Sequence, residues 1–296
     1  MLERGFAKWS SRFLFTMPAI VIYSVMVIVP IVYSMYLSFF TWNGIATQPK
    51  VFAGLDNWTR LLHDETMRQV MINTFKLTFF ALMIQLPAGM LFALLLTSKV
   101  RFGRWFKTIY FFPVMMSSTV LGILWGQIYD PNIGLLNALL TKLGLDHLVH
   151  VWLGEAGYAL GSIIAVVAWQ FIGFYVVVYY AALQTIPDEI IESAKMEGAT
   201  ERLIVFRIRI PLIWHVITFT ILNCVINSFR YFDLIYIMTE GGPNGSSEVM
   251  SSYMYKQAFQ FLDFGYGSSI AGFMFIFSLI VAVIIIRLLR RESYQN

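Results

Sequence analysis

Six long apolar runs punctuate the chain, at about residues 13–40, 73–98, 107–129, 159–184, 211–238 and 266–288. Each reaches the ~20 residues a helix needs to cross the hydrocarbon of a bilayer, so the pattern predicts six membrane-spanning helices. The first run is too long for a signal-peptide core and lacks a small-x-small cleavage site. It reads as an uncleaved span, with a bend expected at Pro30. Ahead of it, Arg4, Lys8 and Arg12 recur at helical spacing with Trp9 and Phe13 on another face, so residues 1–12 are expected to lie on the membrane surface as a short helix. No internal repeat and no low-complexity linker divides the chain, and residues 1–296 are read as one domain.

The longest strongly polar passage lies between the fourth and fifth runs: IPDEIIESAKMEGATERLIVFRIRIP, Ile186 to Pro211. Pro187 stands where a first-turn proline is tolerated, and Asp188 and Glu189 follow at the positive end of a helix dipole. Gly198 supplies a residue able to take positive φ and stop that helix. Thr200 is placed to cap a second helix through Leu203, Val205 and Phe206, with Pro211 at the entry to the next span. The expectation is a short helix, a glycine turn and a second short helix, held at the membrane surface by Arg202, Arg207 and Arg209.

Composition agrees with the pattern. The chain is 58% hydrophobic and 13% charged, with a mean hydropathy of +0.69, where a soluble domain carries roughly a quarter charged residues. The net charge of +4 tracks orientation and is not clustered on a soluble face, so nucleic acid is not an expected partner. Fourteen of the Lys and Arg fall at the N-terminus, around residues 99–107, in the 186–211 loop and at the C-terminus, against five in the alternate segments. The positive-inside rule then puts both termini and the loop in the cytoplasm.

Chemistry-bearing residues are few. The single cysteine, Cys224, lies inside a span and reads as a small buried apolar side chain. G-x-x-x-x-G-K-[ST], H-E-x-x-H and G-x-S-x-G are all absent. His63, His147 and His150 fall in outward loops, and His215 opens the fifth span. That span is the informative one: Thr220, Asn223, Asn227 and Arg230 recur every three or four residues as one polar stripe. Asp233, three residues on, is expected to pair with Arg230. A central charge facing lipid costs about 2.5–3.5 kcal/mol on insertion scales. The stripe should therefore face the bundle interior, either as a path for a hydroxyl-rich substrate or as interhelical glue. Trp125, Trp169 and Tyr175 offer aromatic faces for a sugar ring, while Gln85, Gln127 and Gln170 are single amides. Lys76 is expected to snorkel outward. Gly122 with Gly126, and Gly157 with Gly161, are GxxxG pairs suited to close helix approach.

In the loop, the order Glu192-Ser193-Ala194, Glu197-Gly198-Ala199, Phe206-Arg207-Ile208 and Pro211 resembles the EAA loop of ABC-importer permeases, with Ser193 where alanine is usual. Further blocks resemble the same family in the same order: GLDNW (54–58), NTF (73–75), LPAGMLFALLL (86–96), Phe111–Asn137, TEGGP (239–243), YMYKQAF (253–259) and FGYGSSIA (264–271). The resemblance is to the short six-helix form of carbohydrate and glycerol-phosphate importers. It implies an all-α polytopic bundle with the ABC type I importer permease fold, in a bacterial or archaeal cell (inner) membrane. It also implies that residues 186–211 dock on a cytoplasmic ABC ATPase dimer. Glu192 and Glu197 would be the charged contacts, Gly198 would shape the turn between Ala194 and Ala199, and Phe206 would anchor the second helix before Pro211. A second homologous permease subunit and an extracytoplasmic substrate-binding protein are implied partners, with membrane lipid around the bundle. ATP is expected to be held by the partner ATPase, leaving this chain with no cofactor, no metal and no catalytic residue of its own. The implied substrate path comprises Asn223, Asn227, Arg230, Asp233, Trp169 and Tyr175. Two rivals stand beside this reading. An ion-coupled secondary transporter would need intramembrane carboxylates, of which Asp233 is the deep one. A polytopic membrane enzyme would have to use His147, His150 and Asp130.

Overall fold

The long apolar runs fold either as single helices or as pairs of helices meeting at a sharp bend. The computed structural model describes residues 15–97 and 103–290, with side chains from residue 108 onward in the second stretch. The expected surface segment 1–12 lies outside the described residues, as do Lys99, Arg101 and Arg291. In chain order the elements are α1 (Phe15–Leu37), β1 (Phe40–Thr41), β2 (Val51–Phe52), α2 (Asp56–His63), α3 (Glu65–Thr97), α4 (Gly103–Met115), α5 (Ser118–Ile128) and α6 (Leu135–Lys142). They continue as α7 (Ala159–Leu183), α8 (Asp188–Met196), α9 (Glu201–Leu212), α10 (Trp214–Arg230), α11 (Asp233–Thr239), α12 (Met250–Tyr255) and α13 (Phe264–Leu289).

Four helices, α1, α3, α7 and α13, are long and apolar enough to span a membrane, and the number rises to six if each of two bent pairs counts as one span. The third expected span is one of those pairs. It bends by 105° between Thr108–Met115 and Ser118–Ile128, where Ser117 leaves helical geometry and its Oγ accepts from the Thr119 N–H at 3.3 Å. The fifth is the other. Its helix starts inside the polar loop at Glu201, bends by 71° at Ile213 and stops at Arg230, short of the expected residue 238.

Two prolines act at a distance from their own positions. Pro30 follows a π-helical turn over Ser24–Ile28, and Pro211 follows another over Val205–Arg209. Proline crowds the carbonyl four residues back and has no N–H to give it. Those carbonyls belong to Met26 and Arg207, in the middle of each wide turn, where the i→i+5 pattern relaxes the clash. The expected irregularity at Pro30 thus sits just ahead of the proline.

The chain forms two compact units. One comprises the chain up to Asp64 with Met254–Phe275. Here β1 pairs antiparallel with β2, Phe40 opposite Phe52. The Asn57 amide donates to the carbonyls of Ser38 and Phe40, both at 3.0 Å, and Trp58 Nε1 donates to Ser38 Oγ at 3.1 Å. Gly265 lies so close to the Phe40 carbonyl that a Cβ would overlap it. Arg60 meets Asp263 at 2.6 Å and lies 3.9 Å over the Tyr266 ring, while Tyr266 donates to Asp64 at 2.6 Å. The GLDNW and FGYG blocks are therefore two sides of one contact.

The other unit comprises Glu65–Tyr253 with the chain from Ile276. Helix α7, apolar on every face, is buried at its centre, with α3, α4, α10 and α11 packed on it. Close approach is set by glycines. Gly89 on α3 faces Tyr175, where an added Cβ would lie 2.6 Å from the Tyr175 Cβ, and Gly173 abuts the Tyr110 carbonyl of α4. Of the two GxxxG pairs, only Gly122 serves as expected, against Ile237 of α11; Gly126, Gly157 and Gly161 face open space. Large apolar side chains remain outside on α3 (Phe79, Met83, Leu91) and on α13 from Ile276 (Leu279, Ile280, Ile284), and Lys76 points outward with them. Water would not tolerate such continuous apolar area, but lipid does.

Candidate functional site

Two features of the larger unit hold the residues singled out above. The first is the loop. Asp188 and Glu189 open α8 after Pro187, and Gly198 ends it at φ +82°. The Gly198 N–H bonds the Lys195 carbonyl at 3.0 Å and the Ala199 N–H bonds that of Ala194 at 2.9 Å, closing the helix in the left-handed manner that glycine permits. Nothing lies within 4 Å of a Cβ built on Gly198, so the requirement there is conformational and not spatial. Thr200 Oγ1 then accepts from the Leu203 N–H at 3.4 Å as the cap of α9. Lys195 and Glu201 meet at 2.7 Å across the turn. Both are largely exposed, so the pair sets geometry more than it adds stability, about 0–1 kcal/mol.

The face this turn presents is mixed. Glu192 and Glu197 are exposed, Ala194 and Ala199 half-buried, and Pro211 exposed. Met196 is 89% exposed and Phe206 61%. Phe206 therefore does not anchor the second helix, as the motif led us to expect. Ile204, fully buried, does so, and Phe206, two residues on and about 200° around the helix, falls on the opposite face. Arg209 reaches back to Thr97 Oγ1 at 3.4 Å and ties the loop to the end of α3.

The second feature is a cavity of about 340 Å³ where α10 ends. Its wall includes Ser118, Gln170, Phe171, Asn227, Arg230, Tyr231 and Asp233. The sequence stripe divides here. At its inner end Thr220 Oγ1 and Tyr179 OH lie 2.6 Å apart, fully buried, and serve as glue between α10 and α7. Asn227 Nδ2 donates to Asn223 Oδ1 at 3.0 Å along the same helix, and only Asn227 of the two reaches the cavity wall. Arg230 and Asp233 both line the cavity and both are exposed, but among the described residues no ion pair joins them. The expected pairing presumed one continuous helix. Tyr231 is instead extended (φ −61°, ψ 116°), so Asp233 opens a new helix and the three-residue spacing loses its meaning.

The aromatic candidates lie elsewhere. Tyr175 is 2% exposed and packed in the core against Gly89, and Trp169 is 41% exposed beside Trp125, ring centroids 5.5 Å apart; neither lines the cavity. The rings that do line it are Phe171, Tyr231 and Phe232, the first two 5.5 Å apart and tilted by 47°. Cys224 is buried, its Sγ 3.7 Å from Gln85 Oε1. In the loops expected to face outward, Asp130 accepts from the Asn132 and Ile133 N–H groups at 2.8 and 3.0 Å. Those bonds hold its carboxyl below the usual range. His150 stacks on Tyr158 at 3.9 Å with Glu155 3.6 Å from its Nδ1. Each of these groups organises its own turn.

Sequence reasoning held Gln170 only as a weaker candidate and passed over Ser118. The signal for Gln170 was present, a lone amide midway along an otherwise apolar span; that for Ser118 was not, since it enters the wall only because the third span breaks.

Residues 85–292 match the family model described as the binding-protein-dependent transport system inner membrane component. The probable ABC transporter permease protein YurN of Bacillus subtilis (strain 168) is 35% identical over 273 residues, 92% of this chain and 93% of that protein. The diacetylchitobiose uptake system permease protein NgcF of Streptomyces coelicolor is 29% identical over 275 residues, 89% of this chain and 78% of that protein. The fold is shared, at a TM-score of 0.81 and 22% identity over 99% of both chains, with the crystal structure of a bacterial ABC transporter involved in the import of the acidic polysaccharide alginate. The matched stretch takes in the loop and every residue of the cavity wall, and the chain belongs to the binding-protein-dependent transport system inner membrane components.

Proposed function

We propose that this chain is one permease subunit of an ATP-driven importer of carbohydrates, that its 186–211 loop docks on a cytoplasmic ABC ATPase dimer, and that a second homologous permease completes the pathway. The observation that carries the reading is the continuity of α9 with α10. One end of this bent pair bears the exposed face around Leu203 and Phe206, and the other bears Asn227 and Arg230 in the cavity wall. Ile213, buried at the 71° bend, is the pivot between them. A push on the loop by closing ATPase subunits is thus carried to the cavity by a single jointed element. Glu192 and Glu197 supply charge to the docking face, and Met196 and Phe206 supply apolar area that this chain does not bury. ATP binds to the partner, and this chain contributes no catalytic group. Delivery of substrate by an extracytoplasmic binding protein follows from the family, and the named cargo of NgcF, diacetylchitobiose, supports a carbohydrate substrate. The cavity wall adds hydroxyl, amide and charged groups beside three rings, a chemistry suited to sugar hydroxyls and the apolar faces of a sugar ring.

The test is uptake into liposomes holding the complete complex. Transport should require ATP on the side of the loop and survive collapse of ion gradients, whereas uptake driven by a proton or sodium gradient without ATP would favour the secondary transporter. Orientation is read separately. Cys224 is buried and gives a quiet background, so Met196→Cys should resist an impermeant thiol reagent added to intact cells while Leu143→Cys, 71% exposed, should react. Rapid labelling at 196 would invert the topology.

A further inference from the structure

Gln170 sits on α7, the most enclosed helix of its unit, and is 2% exposed. It nevertheless lines the cavity, and its Oε1 is buried with no hydrogen-bond partner among the described protein groups. A buried acceptor left without a donor is costly, because it has given up its hydrogen bonds to water and gained none in return. The neighbouring amides are used differently: Gln85 accepts from Cys224 and donates to the Val167 carbonyl at 3.3 Å, and Asn227 spends its Nδ2 on Asn223. Gln85, at the same level of burial, shows that this bundle can satisfy an amide when the amide serves only the fold.

We infer that Gln170 is a specificity-determining residue of the transport path, its Oε1 accepting a hydrogen bond from a hydroxyl of the passing carbohydrate. The inference rests on the carbohydrate-import reading above and goes beyond it by assigning the contact. An acceptor without a partner selects for O–H donors, and Phe171 and Tyr231 beside it offer ring faces to the C–H side of a pyranose or furanose. Arg230 at the same wall supplies donors and Asp233 acceptors, so a ligand rich in hydroxyls satisfies all three at once. A site built to bond a hydroxyl discriminates strongly against ligands that lack it, because its own polar group is then left unpaired.

The test compares the wild-type complex with Gln170→Met, a near-isosteric apolar replacement, in two measurements. Uptake in liposomes is followed with diacetylchitobiose, maltotriose and arabinotriose as probes, and melting temperature is taken on the sugar-free complex in detergent. The expected result is a KM for the transported sugar raised about tenfold or more, the size of one lost hydrogen bond to a buried group, together with a melting temperature equal to or above wild type. An unchanged KM overturns the assignment. So does a raised KM accompanied by a lowered melting temperature, since the amide would then be holding the fold and affecting uptake only through it. If the wild-type complex takes up none of the three sugars with ATP, the carbohydrate reading falls and this inference falls with it. A transporting wild type with an unaffected variant sinks this inference alone.

Discussion

Gly198→Pro should abolish ATP-driven uptake while the chain still inserts in the membrane at normal levels. The native φ of +82° is out of reach for a ring that fixes φ near −65°. The substitution also deletes the N–H that bonds the Lys195 carbonyl at 3.0 Å. The turn must then open, and Lys195 and Glu201, 2.7 Å apart across it, separate with it. The proposed docking face is composed of residues from both helices, Glu192, Met196 and Glu197 on one side and Leu203 and Phe206 on the other, so its halves cease to form one surface. The spans do not depend on that geometry, because nothing packs within 4 Å of the position. Gly198→Asn is the control, since asparagine enters the left-handed region at modest cost and should retain most uptake. Wild-type uptake by the proline variant would reduce the loop to a passive connector.

The largest effect on assembly is expected at Gly173. A Cβ there would overlap the backbone carbonyl of Tyr110, so neither a rotamer change nor a flexible side chain can relieve it, and α4 and α7 must move apart. Overpacking costs 1–3 kcal/mol in ordinary cores and more when the obstacle is main chain, so about 3 kcal/mol is expected for Gly173→Ala. Gly126→Ala is the matched control: its Cβ would meet nothing within 4 Å, and alanine is the better helix former. Melting in detergent should separate the two variants widely. Equal melting temperatures would mean that the α4–α7 contact is not close in the assembled protein.

Where the sequence was legible, a single local cause governed the outcome. Twenty-odd apolar residues have few options other than a spanning helix, and α3, α7 and α13 lie within a few residues of expectation apart from the start of α3. The helix–turn–helix at 188–204 was equally legible, because Pro187, Gly198 and Thr200 each act on the backbone beside them. What escaped depended on events elsewhere in the chain. The break at Met116–Ser117 left little mark in hydropathy, since Ser117, Ser118 and Thr119 are a short polar patch within a long apolar run. The end of α10 at Arg230 cancelled the spacing argument for Asp233, and the burial of Ile204 put Phe206, two residues on, on the outer face. Tyr175 carries the ring that a sugar path would use, yet the small residue opposite it, Gly89, draws it into the core. Gln170 differs from Gln85 only in what surrounds it, which composition does not record.

The wide turn over Val205–Arg209 also changes the meaning of chain length at this point. A wide turn holds one surplus residue inside an otherwise ordinary helix, so losing that residue closes the turn to ordinary winding and leaves the faces on either side close to their original alignment. A one-residue deletion between Val205 and Arg209 would therefore keep Glu201 and Leu203 aimed nearly where they are, whereas the same deletion from a regular turn would rotate them by about 100°. Insertions and deletions are usually absorbed by loops, but here a helix carries its own slot for one residue, between the proposed docking face and the span that follows it.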